Sequence, residues 1–280
     1  MIIFAVSLLM PLMVAGQAQI DTKKVKIGDF TRKVTKVVLT GNMFFDGSFK
    51  SEVASKWRIS PYEFCTPQEF ETLKTQDDYY FLLLTQGQFR KESAPGLNFL
   101  TLVKGGKEAA GGIDKMLEIV SLPIASVEEP SGREFVFLPA FLDIIQNYTL
   151  DSMEKDINAY VGLSNYTLNI ARSGSMKIVF SEGDLSPEIN TKVKARCFDD
   201  DVLVLPEGEA DKYLTPDSTN TLVSYVAVPA NPKAGAYCYK MLIDPQTNTL
   251  YYFRKHRISR KVGAGFLEED IQRISVPRKK

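Results

Sequence analysis

The chain has 280 residues, of which 44% are hydrophobic and 24% charged, with 34 acidic and 34 basic side chains. That length holds one large domain or two of ordinary size, and the composition is that of a packed globular protein rather than a disordered one. The charge balance gives the chain no global attraction to nucleic acid or to anionic lipid.

The first predicted element is an export segment. Residues 2–14, IIFAVSLLMPLMV, are uncharged and apolar, too short to span a bilayer and the right length for a signal-peptide core. Small residues follow, so cleavage after Gly16 or after Ala18 fits and residues 1–18 are expected to be removed. No Lys or Arg precedes the apolar run, a departure from the usual pattern. No later run is long and apolar enough for a membrane helix, so no transmembrane segment is expected in the mature chain. The expected location is periplasmic or extracellular. The three cysteines, Cys65, Cys197 and Cys238, are few for an exported protein, and an odd count leaves at least one unpaired within the chain. A Cys197–Cys238 bridge and three buried free thiols both fit the sequence.

The next elements come as two matched sets. Phe45, Phe49, Val53 and Trp57 recur every four residues and make an apolar stripe on a helix; Leu185, Ile189, Val193 and Cys197 repeat it 140 positions later. Each stripe follows a short apolar run, in residues 37–39 and 178–180, and a polar turn. Ser186 and Pro187 read as the second helix's N-cap and first residue. Short strands follow, YEFC at 62–65 and VLVL at 202–205, each before a helix opening on proline, Pro67 or Pro206. Thr66 and Glu69 are spaced as a capping box. Then come the apolar strands YYFLLL at 79–84 and TLVSYVAV at 221–228, and two further strands in each set: LNFLTLV and MLEIVSLPI, then YCYKMLI and LYYFRKH. A closing helix is expected from Pro139 in the first set and from Ala264 in the second.

The matched order predicts an internal duplication; the alternative is two similar stretches in one unduplicated domain. The expected fold class is α/β (α+β), two tandem related β-α-β-α-β-β-(β)-α units with mixed sheets. The first unit spans residues 19–151, a linker 152–175, and the second unit 176–280. The offset falls from 140 to 125 at the closing helix, so the first unit carries roughly 15 extra residues. They fall in the loop-like stretches 105–114 and 128–134. Two such units could pack as a pseudo-twofold pair around a groove.

The usual catalytic patterns are missing. The element order is compatible with a thioredoxin-like module, but GNMFFDGS and SEGDLSP hold no cysteine at the start of the first helix. The only histidine, His256, lies in the basic run RKHRISRK, away from any nucleophile-elbow serine, and one histidine does not make a histidine-rich metal site. Asp199, Asp200 and Asp201 lack calcium-loop spacing, and Gly105-Gly106-Lys107 lacks the rest of a phosphate loop. No catalytic residue, cofactor or metal ligand is assigned. The candidate partner-binding residues are Lys107, in the glycine-rich loop, and Arg254, Lys255, His256, Arg257, Arg260 and Lys261, in the basic run. A solvated strand end and a contact for an acidic partner both fit that run.

The stretches SPYEFCTPQEFETLK, DDYYFLLL, LVKGG and YCYKMLIDPQTNTLYYFRKH resemble uncharacterised exported proteins of Bacteroidetes. In element order the units are also similar to periplasmic envelope modules of the CsgG type. The first resemblance implies no activity; under it, Asp151-Ser152-Met153 and Asp217-Ser218-Thr219 look like that phylum's O-glycosylation signal. The expected function is an exported, non-enzymatic binding or assembly protein of the cell envelope. Its partner would be an envelope protein or an anionic glycan, and not nucleic acid. The alternative is a carboxylate-based hydrolase acting on glycans in a groove between the units. Protein recovered from the envelope or the medium is expected to begin at Gln17 or Gln19, which N-terminal sequencing checks.

Overall fold

A computed structural model of the chain describes residues 23–89, 92–155 and 161–278. The expected leader lies outside the described residues. Two five-stranded mixed sheets are built to one plan, and the fold is α/β in two similar units. In the first, β1 (Val34–Val38) lies between β2 (Tyr62–Cys65) and β3 (Tyr79–Gly87), parallel to both. β4 (Leu97–Lys104) and β5 (Leu117–Ser126) continue it antiparallel. In the second, β6 (Lys177–Ser181) lies between β7 (Val202–Leu205) and β8 (Thr221–Ala227), and β9 (Tyr237–Asp244) and β10 (Thr249–Arg257) complete it. Even the register repeats, with Thr35 opposite Tyr62 and Ile178 opposite Val202.

The helices follow from local chemistry. In α1 (Lys23–Ile27) and the 3-10 turn after it, Ile27 and Phe30 are buried. The Asn42 side chain caps α2 (Met43–Lys56) at the Phe44 and Phe45 amides, and Phe45, Phe49, Val53 and Trp57 are all buried, as their spacing predicts. The Thr66–Glu69 capping box opens α3 (Pro67–Leu73) with Pro67 as its first residue. The second unit's counterparts are α5 (Thr191–Cys197), α6 (Glu207–Ala210) and α7 (Glu268–Arg278); α4 (Arg133–Glu154) closes the first unit.

Three boundaries differ from expectation. The helix expected from Leu185 begins only at Thr191, capped by Asn190 rather than by Ser186. Residues 184–186 are held instead by the returning chain: Phe266 donates to the Asp184 carbonyl at 2.7 Å, and Ser186 donates to the Phe266 carbonyl at 3.0 Å. Ile189, Val193 and Cys197 are still buried. That same crossing delays α7 from Ala264 to Glu268. Gly265, at φ +93°, permits it, since a Cβ there would lie 2.6 Å from the Ser186 nitrogen. Conversely, α4 starts six residues before Pro139, which sits inside it. An interior proline costs a helix about 3 kcal/mol, and full burial of Phe137, Leu138 and Phe141 around it offsets that.

The units stack in tandem. Thr35 and Val37 of β1 face α2; their register equivalents Ile178 and Phe180 face α5 and α7. On the opposite face of the first sheet, Phe81 and Leu83 are covered by α3 through Phe70. On the opposite face of the second sheet, Val223, Tyr225, Tyr239, Met241 and Phe253 join the first unit's core instead. Helix α4 lies between the sheets, with the Tyr225 ring 4.6 Å from Phe137 and 5.1 Å from Phe141. Unlike faces meet, so the contact is head-to-tail rather than a pseudo-twofold pairing.

Residues read as a linker carry structure of their own. Ser152 is fully buried in α4, which closes Asp151-Ser152-Met153 to glycosylation of the folded chain, whereas Asp217 and Thr219 are exposed. Gly162–Arg172 forms 3-10 turns along β10. There the Thr167 hydroxyl donates to the Phe253 carbonyl at 2.8 Å and accepts from its amide at 3.2 Å. All three cysteines are free and buried, so the Cys197–Cys238 bridge is not formed.

A buried arginine ties the units. Arg133, at the first turn of α4, donates to both Asp211 carboxylate oxygens, to Asp184 at 3.0 Å and to the Ser224 carbonyl. Its guanidinium also lies 5.2 Å from the Phe137 and Tyr225 rings. Arg133→Ala leaves Asp184 buried without its cation and should destabilise the protein by about 3–5 kcal/mol, read by urea unfolding. Arg133→Lys should recover only part of that loss, because one ammonium cannot reproduce the fork.

Candidate functional site

The basic run does not form one patch. Alternation along β10 sends Arg254 and His256 to the α7 face and Lys255 and Arg257 to the face shared with the first unit. Arg254 binds Asp270 and Glu269 at 3.1 Å. His256 Nε2 is 2.7 Å from the Gly263 carbonyl, and its Nδ1 is buried with no hydrogen-bond partner. Burial lowers its pKa, and Lys240 and Arg254 add to that, while the Gly263 carbonyl and Asp270 oppose it. Arg260 and Lys261 lie in the loop after β10, and Lys107 belongs to the first unit.

The interior of the α7 face holds a charge network that sequence reading missed. Fully buried Lys240 pairs with fully buried Asp270, which also accepts from the Tyr252 hydroxyl at 2.7 Å and the Leu267 amide at 2.8 Å. Burial opposes the Asp270 charge, yet these donors hold its carboxyl below the usual range; burial lowers Lys240 in turn. Each partner is consumed within the fold. The legible signal was a lysine within the apolar run YCYKMLI, since a buried lysine needs a carboxylate. Cys238 lies opposite His256 in the β9–β10 register, but its sulfur accepts from the Gly265 amide and burial pushes its thiol up to about 11. That is a packed thiol and not a nucleophile.

Lys255 points to a cleft that exists only because the units stack. About 400 Å³ is enclosed by Lys23, Glu118 and Ser121 of the first unit, Gly162 and Ser164 of the connection, and Lys255 of the second. Phe99, Tyr148, Tyr239 and Phe253 form its floor, with Phe99 and Tyr239 ring centres 5.8 Å apart. Lys255 Nζ lies 5.1 Å from the Tyr237 ring and 5.9 Å from Tyr239; Arg257 lies 5.6 Å from Tyr237. Lys23 donates to the Ile119 carbonyl at 2.8 Å; burial lowers its pKa, and Glu118 partly restores it. The cleft thus presents two amines to one carboxylate. The paired carboxylates of a glycosidase are not found among the described residues lining it, which offer Glu118 alone.

A second cleft, of about 850 Å³, lies wholly within the first unit, between α1, the α3–β3 connection and residues 104–117. It contains Lys107. Beside it, Asp29 accepts from Tyr80 and lies 3.0 Å from Lys33 and Lys104. No group of three or more metal-ligating side chains was found among the described residues, and none of their helices is long and apolar enough to cross a membrane. No protein-family model, curated protein or solved structure matches the chain.

Asp29 gives the first unit an acid sensitivity. Burial opposes its charge, but Tyr80, Lys104 and Lys33 outweigh it and hold its carboxyl down at about 2, against an ordinary 3.8. A lowered carboxylate pKa contributes stability that is present above the unfolded value and lost as pH falls through the folded one. The stability difference between the native chain and Asp29→Asn should therefore shrink between about pH 3.8 and 2, as followed by urea unfolding at stepped pH.

Proposed function

We propose that the protein is an exported, non-enzymatic binding or assembly module of the bacterial cell envelope. Its ligand seat is the cleft between the units, and its ligand is an anionic glycan or an acidic segment of an envelope protein. The carrying observation is Lys255, placed with Lys23 at a concave site at a unit interface, where ligand sites are common. The aromatic floor supplies apolar contact, and the excess of amine over carboxylate favours an anion. Binding is preferred to glycan hydrolysis because Glu118 has no second carboxylate beside it in that cleft. The leader-like apolar segment supports export.

Trigalacturonate, titrated calorimetrically into the mature chain, should bind, and neutral maltotriose should bind at least about tenfold more weakly. Lys255→Ala should reduce acidic-trisaccharide affinity about tenfold or more and flatten its salt dependence. Cross-linking in the native host should capture an envelope component through residues around Lys255. Equal binding of the two sugars, with only background capture, refutes the reading.

A further inference from the structure

The larger cleft of the first unit is walled by a connection for which the second unit has no equivalent among the described residues. From β9 to β10 the chain crosses in residues 245–248, whereas from β4 to β5 it takes residues 105–116. Those added residues form two 3-10 turns, Lys107–Gly111 and Ile113–Lys115, which wall the cleft. Their base is pinned. Gly105 donates to the Tyr79 carbonyl at 2.9 Å and Gly106 to the Lys74 carbonyl at 3.0 Å. A Cβ on Gly105 would lie 2.2 Å from the Gln76 carbonyl oxygen, so the loop meets the α3–β3 connection backbone to backbone. Buried Ala109 and Met116 anchor it from below. The cleft is therefore formed before any ligand arrives.

Some of the charges that line it are already paired and others are not. Lys104 is committed to Asp29 and the Lys26 carbonyl, and Lys115 to Asp114 at 2.9 Å. Lys26 and Lys107 on one side of the ledger, and Asp77, Asp78 and Glu108 on the other, line the same cleft yet form no salt bridge among the described residues. Exposed opposite charges gain little by pairing with each other, so these side chains remain available to answer the charges of a ligand. Asp77 and Asp78 stand on the α3–β3 connection, and Lys107 stands on the inserted turn.

We infer that this cleft is a second binding site, for a short zwitterionic peptide with a free amino and a free carboxyl end. Asp77 and Asp78 receive the ammonium, Lys107 and Lys26 the carboxylate, and Thr75 and Gln76 line the span between. A volume of about 850 Å³ lies in the range of ligand sites and exceeds what a single amino acid needs. This site shares no residue with the inter-unit cleft, so either reading stands or falls without the other.

The test is calorimetric titration of the mature chain with tri-alanine, with N-acetyl-tri-alanine, with tri-alanine amide, and with the doubly blocked peptide. Tri-alanine should bind, each single block should weaken binding at least about tenfold, and the doubly blocked peptide should not bind measurably. Asp77→Asn with Asp78→Asn should lower tri-alanine affinity and abolish the preference for tri-alanine over N-acetyl-tri-alanine, while keeping the preference for tri-alanine over tri-alanine amide. Lys107→Ala should do the reverse. All three positions are exposed, so the variants are expected to fold, and circular dichroism verifies it. Absence of tri-alanine binding, equal binding of the doubly blocked peptide, or unchanged affinity in the folded variants overturns the inference.

Discussion

Arg133 is the fixed point of this architecture. A guanidinium taken out of water needs all its donors engaged and its charge answered, and only the second unit can supply that: Asp184 from the turn after β6, Asp211 after α6, and the Ser224 carbonyl from β8. The consequence is geometric. Once Arg133 is seated, α4 must lie across the second sheet, Phe137 and Phe141 must meet Tyr225, and the aromatic floor of the inter-unit cleft follows. Burial pushes the Asp184 carboxyl above the usual range, with the neighbouring Asp211 adding to it, while Arg133 and Ser224 pull it back. The tie is a device of orientation as much as of stability.

Head-to-tail stacking of related units has a hazard, since the same contact could continue to a further copy. Here the outer faces end it. Helix α7 presents Gln272 and Arg273 outward, and α3 presents Gln68, Glu71 and Thr72. The first sheet's equivalent of the receiving face is already covered by Phe70 of α3 packed edge-on against Phe81 at 5.0 Å. Terminal repeats of solenoids use polar outer faces in the same way. The β10 edge is closed by another route, through Thr167 and Asn169, whose side chains take the place of a neighbouring strand.

The two similar units also show why the two clefts differ. The inter-unit cleft arises because one copy of a sheet face is covered by the other unit rather than by its own helix. The first unit's cleft arises from a β4–β5 connection longer than the β9–β10 connection of the second unit. In neither does the basic run act as a block, because a strand sends consecutive side chains to opposite faces. Arg254 and His256 therefore serve the interior around Asp270, and Lys255 and Arg257 remain at the rim beside Tyr237.

Local chemistry made much of the fold legible. The stripe Phe45–Phe49–Val53–Trp57, the Thr66–Glu69 box, and the apolar runs at 79–84 and 237–243 each depend on neighbours a few residues away, and the two matched series of them made the two similar units legible. What depended on distant partners was not legible. Pro139 stops a helix unless burial on both flanks compensates, and that burial comes from a sheet about 85 residues further on. Leu185 reads as helical until Phe266 takes its backbone. The site followed the same rule: the sequence by itself supplied the cations, the aromatics and the extra loop, while the stacking of the two units decided which of them share a cleft, because packing of nonlocal surfaces is not encoded in any one segment's periodicity.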